Sequence, residues 1–243
     1  MKEEPFVDVI ITNYNKSKYL EESINSVINQ TYKNWLLYII DDCSTDNSLD
    51  IINKFKNLKN IKIIALKKNK GAAFARNLGM RVSKYKYISF LDSDDGWNIK
   101  KLEKQISFME KNNLNFTYTD YLSFFEKDGV KKIIKTTNLA KSLDYKTFMR
   151  NSSINTTTMI ISRSILGTHR FKKTYVEDYL FKCELLKKNN NLALKLNEDL
   201  AFYRILRKSV SSQKFKMIFG VWYINKKYNK LGFFQNILSI FFI

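Results

Sequence analysis

The chain has 243 residues and a mass of 28.8 kDa, with 44% apolar and 27% charged residues, one proline and seven glycines. That is an ordered globular composition with room for one large domain, or a domain and a small appendage, and it excludes a disordered or fibrous protein. A formal net charge of +19 and a pI near 9.7 favour an anionic partner, whether nucleic acid, anionic lipid or a phosphorylated substrate, without choosing among them. Two cysteines and one histidine are too few for a Cys/His zinc site. Cys43 and Cys183 read as small packing residues, and His169, beside Arg170, reads as a surface residue rather than a general base.

The opening MKEEPFVDVII carries acids where an export signal would be positive, and no run of about 18 apolar residues occurs anywhere. A cytoplasmic, reducing location is therefore expected. Residues 6–12, FVDVIIT, predict a buried strand, and Tyr19, Leu20, Ile24, Val27 and Ile28, spaced by three and four, predict a helix after it. WLLYIID predicts a second strand, leading through DCSTDNS into a helix over about 46–57 capped by Asp46 or Ser44. NIKIIAL predicts a third strand, GAAFARNLGMRVS a helix and YKYISFL a fourth strand. Such alternation predicts an α/β fold with a mostly parallel central sheet flanked by helices.

A helix over about 98–112 comes next. LNFTYTDYLSFFEKDGVKKII then predicts strands with a turn at Asp128-Gly129, and TTTMIIS a further strand. VEDYLFKCELLKKNN predicts a helix opening on Glu177 and Asp178, and LALKL and LAFYRIL two short strands. With no linker, repeat or low-complexity run, the chain reads as one domain over 1–212, divided near residue 97, with a basic, aromatic-rich helical segment over 213–243.

The polar clusters TNYN, DDCSTD and DSDDGW all fall at strand C-termini, where ligands of such sheets bind. No G-x-G-x-x-G and no P-loop pattern is present, so a bound diphosphate needs another counter-charge. Asp92, Asp94 and Asp95 are three acids within four residues, and like charges that close repel unless something positive holds them ionised. Mg²⁺ or Mn²⁺ at Asp92 and Asp94 would do so and would clamp a diphosphate; a capped turn is the structural alternative.

The segments VDVIITNYNKSKYLEESINSVINQTYKNWLLYIIDDCSTDNS, NKGAAFARNLGM, YISFLDSDDGW, VEDYLFKCELL and FYRILRKSVS, in this order, resemble family 2 glycosyltransferases of the GT-A fold, especially bacterial enzymes that build capsule, O-antigen or lipooligosaccharide chains. The resemblance implies that Thr12 and Tyr14 border a uracil base, that Asp42, and alternatively Asp41, accepts from its edge, and that Arg76 approaches the nucleotide. It further implies Asp94 as principal metal ligand, with Asp92 on the ribose or on the metal through water. Asp95 then either caps the helix beginning near Asn98 or orients the sugar, and Trp97 either walls the sugar site or belongs to the core. Asp178, beside Glu177 at a helix N-terminus that favours the ionised form, becomes the candidate general base. Arg204, Arg207 and Lys208, with Ser209, Ser211 and Ser212, form a segment that would fold over the donor or else a solvated basic loop.

Beyond Asp199 there is no Asp or Glu, while Lys214, Lys216, Lys226, Lys227 and Lys230 alternate with Phe215, Ile218, Phe219, Val221, Trp222 and Tyr223. This pattern suits the interface of an anionic membrane or packing against the domain, and the final LGFFQNILSIFFI is too short to span a bilayer. The expectation is a metal-dependent inverting transferase that moves a hexose or N-acetylhexosamine from a UDP-sugar to a lipid-linked glycan on the cytoplasmic membrane face, with no nucleic-acid partner. A nucleotidyltransferase would use the same carboxylates but should show a glycine-rich loop after the first strand, and TNYNKSKYL has no glycine. A basic nucleic-acid-binding module would leave the strand-end acids unexplained. An inactive scaffold would not require both the D-x-D and the Glu-Asp pair.

Overall fold

The structure, a computed structural model, describes residues 4–127, 130–135, 139–188, 191–206 and 214–240. Its elements run β1 (Val7–Asn13), α1 (Ser17–Ile28), β2 (Trp35–Asp41), α2 (Ser48–Asn53), β3 (Ile61–Ala65), α3 (Ala72–Val82), β4 (Tyr87–Asp92), β5 (Gly96–Trp97) and α4 (Lys101–Lys111). They continue with β6 (Phe116–Lys127), β7 (Val130–Lys135), β8 (Ser142–Leu143), α5 (Tyr145–Arg150), β9 (Ile160–Ser162), α6 (Arg163–Leu166), α7 (Glu177–Lys187), β10 (Ala193–Arg204), α8 (Lys214–Lys227) and α9 (Phe233–Ile240).

The sheet order is β3-β2-β1-β4-β9-β6-β10-β5, with β7 on β6 and β8 on β10. The first four strands are mutually parallel, as their near-continuous apolar runs predict. β9 then enters antiparallel between β4 and β6, which makes the sheet mixed. The chain leaves β1 for β2 on one side and returns to β4 on the other, so the crevice at the carboxyl ends of β1 and β4 is a topological switch point.

Alternate residues of β1 face two cores. Val7, Val9 and Ile11 pack with Leu20, Ile24 and Val27 of α1 and with Leu102, Ile106 and Met109 of α4. Ile10 faces the other way, toward Ala75 and Leu78 of α3 and Leu180, Phe181 and Leu185 of α7. Gly79 lets α3 approach closely, since a Cβ there would lie 2.5 Å from Ile10 Cγ2. Oδ2 of buried Asp8 accepts from the N–H groups of Lys84 (2.7 Å) and Tyr85 (2.5 Å) and from Arg163 Nη2 (3.1 Å), which fastens the approach to β4.

Several expectations are corrected. The helix expected over 46–57 is only the six residues of α2, preceded by Asn47: Asp46 accepts from Ser48 N (3.0 Å) at its start and from Ser17 N (2.9 Å) across the loop, and residues 54–57 are turn. Asp95 does not cap α4, whose start at Lys100 has no side-chain cap. Thr156–Thr158 form a 3₁₀ turn rather than strand. LALKL and LAFYRIL are one bulged strand, β10, with register shifts around Asp199. The bulge lets alternate pairing resume after an extra residue, which reads in sequence as a break. Of the two readings of Trp97 the core one holds: it is 3% exposed, with its indole N–H on Thr157 O at 2.9 Å. The expected Asp128-Gly129 turn lies outside the described residues.

α8 packs Val221 and Ile224 into the core behind α7, and a buried polar chain locks it there. Tyr179 OH donates to Asn225 Oδ1 (3.0 Å), Asn225 Nδ2 to Ser239 Oγ of α9 (2.8 Å), and Asn236 Nδ2 to Trp222 O (3.2 Å). Phe215, Phe219, Phe233 and Phe234 remain exposed on the outer side. Among the described residues no helix is long and apolar enough to cross a membrane.

Candidate active site

Register alone gathers the strand-end residues. Thr12 is opposite Asp92, and Asn13 opposite Asp41, so β1, β2 and β4 end together at one edge. The loops beyond them interlock. Asp41 is fully buried and accepts from Asn13 Nδ2 (2.7 Å), Ser44 N (2.9 Å) and Ser44 Oγ (2.6 Å), the work of a turn acceptor. Asp42 accepts from the N–H groups of Lys70 (2.8 Å) and Gly71 (2.7 Å), and so fixes the loop that enters α3. Gly71 sits at φ +88°, which favours glycine. A base N–H reaching Asp42 would share an oxygen already in use. Tyr14 is about half exposed at the rim, its ring available to a ligand face.

Arg76, projecting from α3 and almost completely buried, is the centre of the site. Its Nη2 lies 2.8 Å from Asp92 Oδ1 and its Nη1 2.8 Å from Glu177 Oε1, so one guanidinium joins the end of β4 to the start of α7. Burial opposes its charge, but Asp92, Glu177 and Asp178 together hold its pKa above the ordinary value. Glu177 is pushed up by burial, against the pull of Arg76 and with Asp178 adding to the rise. Burial also opposes ionisation of Asp178, but Lys182, four residues on and 2.8 Å away, outweighs it together with Arg76 and the Tyr179 N–H, and the pKa falls to about 2.

The D-x-D acids are held unequally. Asp94 Oδ2 pairs with Lys16 Nζ at 2.6 Å. Asp95, 3% exposed, accepts from Thr157 Oγ1 (2.6 Å) and Arg204 N (2.9 Å); burial, and then the charges of Asp92 and Asp94, push its carboxyl well above the usual range. Asp95 is thus the structural member. Its partner turn is braced from below by Gln105, which donates to Thr158 O (3.1 Å) and accepts from buried Lys101 (3.0 Å). From the same turn Thr156 Oγ1 donates to Asp178 Oδ2 at 3.2 Å, so one short turn touches both the D-x-D segment and the candidate base.

Arg204 is 4% exposed, and its guanidinium is engaged by Asp94 O (3.0 Å), Glu22 (2.6 Å) and Glu126 (3.2 Å). It braces the D-x-D loop from behind, and reaching a donor would require leaving both carboxylates. Arg207, Lys208, Ser209, Ser211 and Ser212 lie outside the described residues. His169 is partly buried, 3.6 Å from Glu184 on the far end of α7 and away from the acids. Cys183 is buried, its thiol pushed up to about 12 by burial, while Cys43 is partly exposed at φ +63° in the β2–α2 loop rather than in the core.

Lys16, Thr156, Thr157 and Lys182 escaped the sequence reading. Only Lys182 left a signal there, its i+4 spacing from Asp178. Among the described residues no three His, Cys, Asp or Glu side chains converge on a metal position. Asp92 and Asp94 are carboxylates, the donor type that a hard divalent cation takes along with phosphate oxygens and water, and each is paired with a cationic side chain.

A mixed α/β sheet with a switch-point crevice and strand-end acids is the architecture of the GT-A class of nucleotide-diphospho-sugar transferases, and the comparisons place the chain there. Residues 8–172 match the model of Glycosyl transferase family 2. The chain belongs to that family and is a glycosyltransferase. It is 35% identical over 216 residues, 89% of this chain and 83% of the relative, to WfgD of Escherichia coli, named a UDP-Glc:α-D-GlcNAc-diphosphoundecaprenol β-1,3-glucosyltransferase. The fold is similar to that of Staphylococcus aureus TarS 1-349 in complex with UDP-GlcNAc, with a TM-score of 0.74 at 19% identity over 98% of this chain and 71% of that one. It is also similar to the mannosyltransferase PcManGT from Pyrobaculum calidifontis in complex with GDP-Man and Mn²⁺, with a TM-score of 0.73 at 13% identity over 99% and 70% of the two chains.

Proposed function

We propose that the protein transfers a hexose or N-acetylhexosamine from a UDP-sugar to a lipid-linked surface-glycan acceptor, with inversion at the anomeric carbon. The observation that carries this reading is the Arg76 bridge, which supports treating the D-x-D end of β4 and the Glu177-Asp178 end of α7 as one site. Thr12, Tyr14 and Asp42 line the base side, and Asp92 and Asp94 the diphosphate side. A divalent cation held by Asp94 and Asp92 would neutralise the diphosphate.

Asp178 takes the proton of the acceptor hydroxyl as its oxygen bonds to the anomeric carbon, while the bond from that carbon to the diphosphate oxygen breaks and UDP leaves with the electron pair. Lys182 and Arg76 hold the Asp178 carboxylate ionised at neutral pH, the form in which it accepts a proton. Arg76 offsets the repulsion between Asp92 and Glu177 and so holds the donor side and the base side of the site together.

The acceptor class rests on WfgD and on the C-terminal segment. A cavity of about 460 Å³ between residues 173–175 and α8 is lined by Lys173, Tyr175, Lys216, Phe219, Tyr223 and Lys227. Aromatic rings and ammonium groups suit the diphosphate and lipid end of such an acceptor at an anionic inner-membrane surface. Calorimetry with UDP-Glc, UDP-Gal, UDP-GlcNAc and UDP-GalNAc, with and without Mn²⁺, tests the donor half. Metal-dependent binding lost in Asp94→Ala is expected, and absence of binding to all four would overturn it.

A further inference from the structure

Two cations occupy the D-x-D acids, and they differ in how firmly they are held. Arg76 is shared between Asp92 and Glu177 and is only 9% exposed at its side chain, so it has no open route away. Lys16 is held by Asp94 alone among the ion pairs of the described residues, and the two side chains are 32% and 20% exposed. An ammonium on a flexible stem changes partners more readily than a guanidinium fork fixed at both prongs.

The backbone around Lys16 is fastened while its side chain is not. Asn15 N donates to Ser44 Oγ (3.0 Å), Asn15 Oδ1 accepts from Thr45 N (2.7 Å), and Ser17 N donates to Asp46 Oδ2 (2.9 Å). Asp94 is fixed in the same way, its carbonyl held by Arg204 Nε at 3.0 Å and the next residue's N–H on Asp92 O at 3.0 Å. Both partners are therefore presented by rigid main chain, and only side-chain torsions separate the paired from the unpaired state.

Helix energetics gives Lys16 no reason to be there. It occupies the N-cap of α1 without capping it through its side chain, and α1 has no acid in its first turn. A cation at a helix N-terminus opposes the macrodipole. Its one visible attraction is Asp94, the carboxylate that the proposed metal would take.

We propose that Lys16 is a resident counter-ion of Asp94 that is exchanged on loading. Its ammonium neutralises the D-x-D end of β4 in the free enzyme, yields Asp94 to the divalent cation, and turns to the diphosphate that arrives with it. The inference rests on the metal-and-UDP reading above. Metal and nucleotide then bind cooperatively, because metal binding alone must displace Lys16 with nothing else for the ammonium to pair with, whereas a diphosphate supplies that partner.

The test is titration of Mn²⁺ into the full chain and into Lys16→Met, each alone and with saturating UDP, by calorimetry and by the Mn²⁺ electron paramagnetic resonance signal. Asp94→Ala in both backgrounds identifies the site, and far-ultraviolet dichroism verifies that the variants fold. The expected result is about fivefold tighter binding of Mn²⁺ alone by Lys16→Met, the worth of a partly exposed ion pair. The enhancement of Mn²⁺ affinity by UDP, on the order of tenfold in the wild type, falls by about the same fivefold factor in the variant, and what remains is the diphosphate's own ligation of the metal. If both proteins give the same Mn²⁺ affinity and the same UDP enhancement, all of it lost in Asp94→Ala, the exchange is wrong and the metal site stands. If neither protein binds Mn²⁺ with or without UDP, the metal reading falls and the exchange with it.

Discussion

The half of the sheet containing β1 to β4 and the half containing β6, β9 and β10 are built on different principles. The first is parallel, apolar and regular, its register unbroken from Val7 opposite Tyr87 to Thr12 opposite Asp92. The second mixes strand directions, carries a bulge at Asp199 and threads a 3₁₀ turn between its strands. The first is held mainly by packing of side chains at fixed periods. The second depends on individual hydrogen bonds, such as those made by Gln105, Asp95 and Arg204. On the proposed reading, regular packing supplies a rigid edge for the nucleotide, and the irregular half supplies the candidate base.

If that division is correct, substitutions in the two halves should fail differently. The largest effect is expected for Asp178→Asn in the irregular half, which should lower kcat by about a thousandfold, within the range for loss of a general base, while UDP-sugar affinity by calorimetry is preserved. Retained turnover would remove Asp178 from that role. Arg76→Met, at the junction, should lose both properties, because it strands Asp92 and Glu177 without their shared cation. A drop of about 3 kcal/mol in urea unfolding is expected together with loss of transfer.

Gly79→Ala, in the regular half, should cost about 2 kcal/mol from overpacking against Ile10 while leaving kcat per folded molecule nearly unchanged. A large fall in kcat there would erase the distinction between the halves. The smallest effect concerns pH. The Asp178 pKa of about 2 lies below its unfolded value, so its contribution to stability is present above about pH 4 and is lost as pH falls toward 2. The unfolding midpoint should therefore fall less between pH 5 and about pH 3 in Asp178→Asn than in the wild type.

How much was legible follows the same line. β1 to β4 and their helices were readable because strand and helix periods are local, and the acids at the ends of β2 and β4 were visible as clusters placed just beyond apolar runs. α2 proved shorter than its apolar pattern, with residues 54–57 in turn, and Asp46 and Ser44 have partners across the loops, at Ser17 and Asn13, which no local pattern records. β10 looked like two strands because a bulge interrupts its alternation. The C-terminal segment gave two readings, membrane face or packing face, because one helix carries both: Val221 and Ile224 point inward and Phe215 and Phe219 outward.

By itself the sequence determined the fold class and the strand ends at which the acids lie, since each follows from spacing along a few tens of residues, and the resemblance of its segments pointed to the reaction family. Tertiary structure alone decided which cation meets which carboxylate: Arg76 between Asp92 and Glu177, Lys16 on Asp94, and Arg204 behind the loop on Glu22 and Glu126. It also decided that a threonine turn would join Asp95 to Asp178. The physical reason is that a charge is specified by residue type, but its energy depends on distance, burial and partner. Those are fixed only when segments far apart in the chain are brought to the same edge of the sheet.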